Sequence, residues 1–237
     1  MAGSTILLLH AFPLDARMWE VQQRALASEG HRVVAPHLPG EEPIAGLEAW
    51  ARRVLGLVEG SFVLAGCSMG GYLAFELWRQ APQRIAGLAL VDTRATPDSP
   101  EQRQARDDTI RLLGENGFEP FWEGLAPKLF AAGTDTAVID RARRIAAEQR
   151  VTGLVTSLQT VRDRPDSRDT LPAVDVPVLV AVGEEDELTP PADAKAMVAE
   201  LPEADFLLIR GAGHLTPLER PEEITQALLR LAGEVAA

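Results

Sequence analysis

Scarcities narrow this sequence before any motif does. It holds a single cysteine, Cys67, so no disulfide can form within the chain. One cysteine and four scattered histidines cannot supply the four ligands of a structural zinc site, and neither metal nor cofactor is expected. Lysine occurs only twice, and Lys and Arg together number 23 against 35 Asp and Glu, a formal net charge of -12. Phosphate backbones attract basic surfaces, which argues against a nucleic-acid partner. Anionic membranes repel such a chain for the same reason. No window approaches the roughly 18 apolar residues of a membrane span. The Ile6–Leu9 run has no basic residue before it and is too short for a signal peptide, so the cytoplasm is the expected location. Internal repeats and low-complexity tracts are missing too.

What is present reads as a globular protein. A chain of 237 residues, 46% hydrophobic and 24% charged, can bury a full core. At roughly 150 residues per domain, that length suggests one large domain carrying an insertion. A monomer or small homo-oligomer acting on a small molecule is expected.

The first 93 residues alternate short apolar runs with helix-like stretches. Strands are predicted at Thr5–Leu9, Arg32–Ala35, Ser61–Ala65 and Ile85–Val91. Pro36 and Pro39–Gly40 stop the second of them. Helical spacing marks residues 17–28, a stretch through Trp50, Val54, Leu57 and Val58, and Gly70–Gln80, which Pro82 closes. Strands separated by helices of this length imply a parallel sheet covered on both faces. From about Arg94 to Arg168 no buried strand is evident. Arg-rich and Ala-rich helical segments run instead over 99–114, 118–131, 135–148 and 150–162. Strands return at Pro177–Val182 and Asp205–Ile209, with helices near 191–200 and 221–234. The expected organisation is an α/β core of residues 1–93 and 169–237, with a mainly parallel twisted sheet of about six strands, and a helical cap of residues 94–168 inserted after the fourth strand.

Gly66-Cys67-Ser68-Met69-Gly70 fits G-x-S-x-G, and it follows a strand and opens a helix. A nucleophile elbow requires that context. The tight turn strains the central serine and lifts its hydroxyl above the sheet edge. Side chains two residues before and after would collide, so glycine stands at both places. Gly71 adds room for the helix to pack. The pattern alone is weak, but neither G-x-G-x-x-G nor a P-loop lysine competes with it.

A serine hydroxyl needs a base within hydrogen-bond reach. On this architecture the order is serine, acid, histidine. Only His214 follows Ser68 in the chain, within Gly211-Ala-Gly-His and just past the last strand. The acid that orients its imidazole is expected in Glu184-Glu185-Asp186-Glu187, at the end of the fifth strand. Asp186 is the choice there, with Asp92 at the end of the fourth strand as the competitor. Two backbone donors are needed for an oxyanion, Met69 after the serine and Phe12 in the turn after the first strand. His10 in that turn is expected to bond locally. Cys67 should be buried in the packing of the sheet and chemically inert.

Leu7–Asp15, Gly66–Gly71, Val182–Asp186 and Gly211–His214 together resemble the α/β-hydrolase superfamily. Within it, the chain is most similar to small serine esterases and the 3-oxoadipate enol-lactonase type. The resemblance covers both halves of the sheet and leaves out most of the insertion. It implies Ser68 as nucleophile, Asp186 as acid, His214 as base, and Phe12 and Met69 as oxyanion donors, with a carboxylic ester or lactone as substrate. It has departures. His10-Ala11 replaces the usual His-Gly, and Pro36–Gly40 replaces the frequent Asp-x-Arg-Gly. The chain begins near the third strand of the family's sheet, so the leading antiparallel pair is expected to be missing. Relatives with aspartate at the elbow cleave haloalkanes or epoxides, and Ser68 argues against both. Carbon–carbon bond hydrolysis, metal-free perhydrolysis, and a ligand receptor with vestigial turnover remain open with the same residues.

The insertion carries an apolar stripe of Phe118, Phe121, Trp122, Leu125, Leu129 and Phe130, most of it expected to pack the cap onto the core. Trp122 and Leu188 are the apolar residues chosen for the substrate pocket. Arg94, Arg103, Arg106, Arg111, Arg141, Arg143, Arg144, Arg162 and Arg164 make the region locally basic and should mostly pair with nearby carboxylates. Arg94, just past a strand end, is also placed to meet a substrate carboxylate.

Overall fold

The computed structural model describes residues 3–38 and 46–235. Pro39–Gly40, expected to end the second strand, lie outside the described residues. Six strands form one sheet: β1 (Thr5–Leu9), β2 (Arg32–Val34), β3 (Phe62–Cys67), β4 (Ile85–Val91), β5 (Val178–Gly183) and β6 (Asp205–Ile209). They lie in the order β2-β1-β3-β4-β5-β6, and every pairing is parallel. No antiparallel strand occurs among the described residues.

Successive strand residues point to opposite faces, and both faces are covered. Leu7, Leu9, Leu64, Leu88, Leu90 and Val180 pack beneath α2 (Leu47–Leu55), α3 (Met69–Gln80) and α8 (Pro191–Glu200). Their alternates Ile6, Leu8, Val63, Ala65, Ala89 and Ala181 pack beneath α1 (Glu20–Ser28) and α10 (Pro221–Val235). A short helix, α9 (Thr216–Glu219), precedes α10. The helix through Trp50 ends at Leu55, so Leu57 and Val58 lie beyond it. Gly56, a poor helix residue, is its cap.

Four helices stand between β4 and β5: α4 (Pro100–Asn116), α5 (Phe118–Leu125), α6 (Thr136–Ala147) and α7 (Val151–Arg162). Ser99 and Gln102 close a reciprocal capping box at the start of α4, with Pro100 in its first turn. The helix expected over 118–131 is shorter. It stops at Leu125 and passes into a 3-10 turn at Ala126–Lys128, because Pro127 has no amide hydrogen to continue the ladder. Leu113, Phe121, Leu154 and Leu158 form a small apolar cluster within this layer. Among the described residues, no helix is long and apolar enough to cross a membrane.

Candidate active site

The turn from β3 into α3 places Ser68 at φ 53°, a conformation few residues other than glycine adopt. Neighbouring elements over-determine it. The Ser68 amide donates to the Val91 carbonyl of β4 at 2.9 Å, and Thr93 Oγ1 donates to the Ser68 carbonyl at 2.9 Å. A Cβ at Gly66 would overlap the Gly70 backbone, and one at Gly70 would overlap the Leu9 carbonyl of β1. Both obstacles are main chain and cannot swing aside, which is why glycine flanks the serine at this spacing.

His214 sits in the loop between β6 and α9. Its Nε2 lies 2.7 Å from Ser68 Oγ and its Nδ1 lies 2.8 Å from Asp186 Oδ2, with all three residues buried. A carboxylate only accepts, so Nδ1 carries the hydrogen and Nε2 is left to accept from the hydroxyl. Asp186 also accepts from the amides of Leu188 at 2.8 Å and Thr189 at 2.9 Å, and from Thr189 Oγ1 at 2.8 Å. Burial alone would raise its carboxyl. The charge and hydrogen bond of His214 and the Thr189 donors outweigh that, and hold it below the usual carboxylate range. Glu184, Glu185 and Glu187 on the same loop are exposed, so burial singles out Asp186.

Asp92, the competing acid, does not touch the imidazole. It is fully buried, at φ 46°, and accepts from the Gly183 amide at 3.1 Å and from the amide and hydroxyl of Thr216 at 3.0 and 2.7 Å. It thus straps the ends of β4 and β5 to the segment just after His214. Burial and the nearby charge of Asp186 push its carboxyl well up. Cys67 Sγ lies 3.8 Å from Asp92, and burial pushes the thiol up as well.

In the turn after β1, His10 accepts the Leu38 amide at Nε2 (2.9 Å) and donates from Nδ1 to the Ala11 carbonyl (3.0 Å). Burial lowers its pKa to about 4, so it stays neutral and holds the loop. Phe12 and Met69 face a common cavity. Among the described residues neither of their amides donates to a protein acceptor. Met69 opens α3, where the helix dipole favours negative charge.

That cavity encloses about 410 Å³ and reaches Ser68 and His214; Arg94 and Leu188 also line it. Trp122 does not. It is 5% exposed, packs against Phe118 and Phe130 at ring separations of 6.0 and 6.5 Å, and belongs to the core layer under the cap. Phe121, roughly 100° around the same helix, lines the cavity instead. An adjoining cavity of about 440 Å³ shares Phe12, Met69 and Ser157 but includes neither Ser68 nor His214.

One buried residue was not singled out from the sequence. Glu219 accepts from the amides of Gly213 (2.9 Å) and Leu215 (3.3 Å) on either side of His214. Its other oxygen takes the Ala131 amide (2.9 Å) and the Thr134 hydroxyl of the cap. The His214 amide itself donates to the Leu129 carbonyl at 3.0 Å. The only sequence signal for this seam was a glutamate five residues after the histidine.

The profile of the alpha/beta hydrolase family matches residues 6–227. The pimeloyl-[acyl-carrier protein] methyl ester esterase of Aromatoleum aromaticum is 29% identical over 92% of this chain and 94% of that protein. A dihydrolipoyllysine-residue acetyltransferase component of an acetoin cleaving system, from Pseudomonas putida, is 28% identical over 96% of this chain; the match spans 63% of that longer protein. A thermophilic esterase from Thermogutta terrifontis, solved with malate bound, is 38% identical with a TM-score of 0.92, covering 100% of this chain and 92% of that one.

Proposed function

The chain belongs to the alpha/beta hydrolase family, and from that premise we propose that it is a serine hydrolase that cleaves a small carboxylic ester or lactone through an acyl-enzyme. The observation that carries this reading is the unbroken hydrogen-bonded line from Ser68 through His214 to Asp186 beside a cavity of about 410 Å³. Ester-hydrolysing names among the similar proteins support the same class.

Ser68 Oγ attacks the carbonyl carbon while His214 Nε2 takes its proton. Asp186 holds the imidazole in the needed tautomer and stabilises the imidazolium. The amides of Met69 and Phe12 hold the oxyanion. Collapse of the tetrahedral species expels the alcohol, protonated by His214, and leaves an acyl group on Ser68. His214 then activates water, which releases the acid and restores the serine. Residues 94–168 act as the cap over this chemistry, and Arg94 and Leu188 contact substrate.

The test is hydrolysis of p-nitrophenyl butyrate by wild type and by Ser68→Ala. The expected outcome is steady turnover by wild type and a loss of about a thousandfold or more in the variant. Equally slow rates in both would overturn the reading.

A further inference from the structure

Every charged side chain lining the Ser68 cavity is cationic: Arg94, Arg106 and Lys128. The protein as a whole carries a net charge of -12. A pocket for neutral esters has no use for buried guanidiniums, which lose solvation unless their donors are met. Arg94 follows β4 directly and is only 8% exposed. Of its five N–H donors, one meets Asp98 Oδ1 at 3.0 Å. Another nitrogen lies 3.8 Å from Asp193, beyond hydrogen-bond reach, and Nε has no partner among the described residues.

Asp98 does not neutralise Arg94 alone, because it also accepts from Arg106 and Arg164. Three guanidiniums therefore share one buried carboxylate. Arg164 is committed elsewhere: it donates to the carbonyls of Thr96 and Val161, stacks 4.2 Å from the Tyr72 ring, and does not line the cavity. With Asp193 ion-paired to Arg94 at 3.8 Å, three guanidiniums face two carboxylates, and the remaining positive charge is left on Arg94 and Arg106, which do line it. Thr93, next to Arg94, donates to the Ser68 carbonyl, so Arg94 and the serine are held at the ends of the paired strands β4 and β3, with Arg106 reaching the same cavity from α4.

Resting on the hydrolase reading above, we propose that the substrate is a short ester or lactone bearing a second, unreacting carboxylate, and that Arg94 and Arg106 bind it. Guanidinium forks suit carboxylates, and the low dielectric of a partly closed cavity strengthens the contact.

The test compares kcat/KM for mono-p-nitrophenyl glutarate against p-nitrophenyl pentanoate, with the carboxylate on the acyl side. It also compares para-carboxyphenyl butyrate against phenyl butyrate, with the carboxylate on the alcohol side. At least one anionic ester should exceed its neutral counterpart about tenfold, the size of one charge-assisted hydrogen bond. That ratio should fall about tenfold in Arg106→Gln, whose half-buried position is the safer one should Arg94→Gln not fold. Turnover of the neutral esters with no preference for either anionic one would overturn the proposal while leaving the hydrolase reading intact. Glutarate binding to Ser68→Ala, measured by calorimetry, is independent of turnover. Binding that weakens in Ser68→Ala/Arg106→Gln supports the carboxylate subsite even if no ester is hydrolysed, and absence of binding counts against it.

Discussion

β1, β3, β4 and β5 are buried almost throughout by Leu, Val, Ile and Ala, whereas α4 in the cap buries only Leu113 among its seventeen residues. The core is cohesive because apolar area is removed from water on both faces of the sheet. The inserted helices meet the core through the Phe12–Phe121 ring contact at 5.8 Å, through Trp122 and Phe130 packed into the core cluster, and through discrete polar links. Those links include the Leu129 carbonyl to His214, the Glu219 carboxylate to Ala131 and Thr134, Gln149 to Asp15, Arg141 to Glu20, and Arg17 to Glu148. Exposed ion pairs of the last kind contribute little. The hydrogen-bonded Ser68, His214 and Asp186 therefore sit on the core, while Phe121, Leu125 and Lys128 of the inserted segment line the adjoining cavity.

Breaking the core should have the largest effect. Gly70→Ala puts a methyl group into the Leu9 carbonyl, and the expected loss is more than about 3 kcal/mol in urea unfolding, with activity lost alongside. A variant with wild-type stability would show that the elbow has slack.

His10 probes the core through pH. In the fold it stays neutral to about pH 4, while the unfolded chain takes up the proton below about 6.5. The unfolded state binds more protons between those values, so stability rises with pH through this window and is lost as pH falls from 6.5 towards 4. Subtracting the stability–pH curve of His10→Gln from that of wild type should isolate a difference of about 3 kcal/mol across the window. Parallel curves would contradict the buried neutral imidazole.

A cut at the seam should be smaller and of another kind. Glu219→Gln turns an amide donor towards N–H donors on one side, at a cost of about 1–2 kcal/mol. Turnover should fall about tenfold and protease cleavage within 94–168 should quicken, while the core unfolds nearly as before. A uniform drop in melting temperature with intact turnover would mean that core and cap are one cooperative body.

Local patterns were legible where local sterics decide. The run Ile85–Val91 appears as a strand with the expected limits, and glycines two positions either side of Ser68 announced a turn that main-chain crowding demands. Asp186 was harder, since four carboxylates stand in a row and only the fold reveals which is buried. Trp122 and Phe121 are adjacent on an amphipathic helix, and nothing in their spacing says which faces the cavity. Pro127 did carry its signal, and it ended α5 short of the expected residue 131.

By itself, the sequence determined the order of strands and helices, the elbow at Ser68 and the single histidine available to it. Those features depend on periodicity, backbone sterics and chain order, which are properties of neighbours along the chain. The tertiary structure alone decided that Asp186 meets His214 while Asp92 straps the strand ends. It also decided that Arg94 and Arg106 share one carboxylate at the cavity wall, and that Glu219 joins cap to core. Each of these depends on distances between segments far apart in the chain, which are set by how the layers pack.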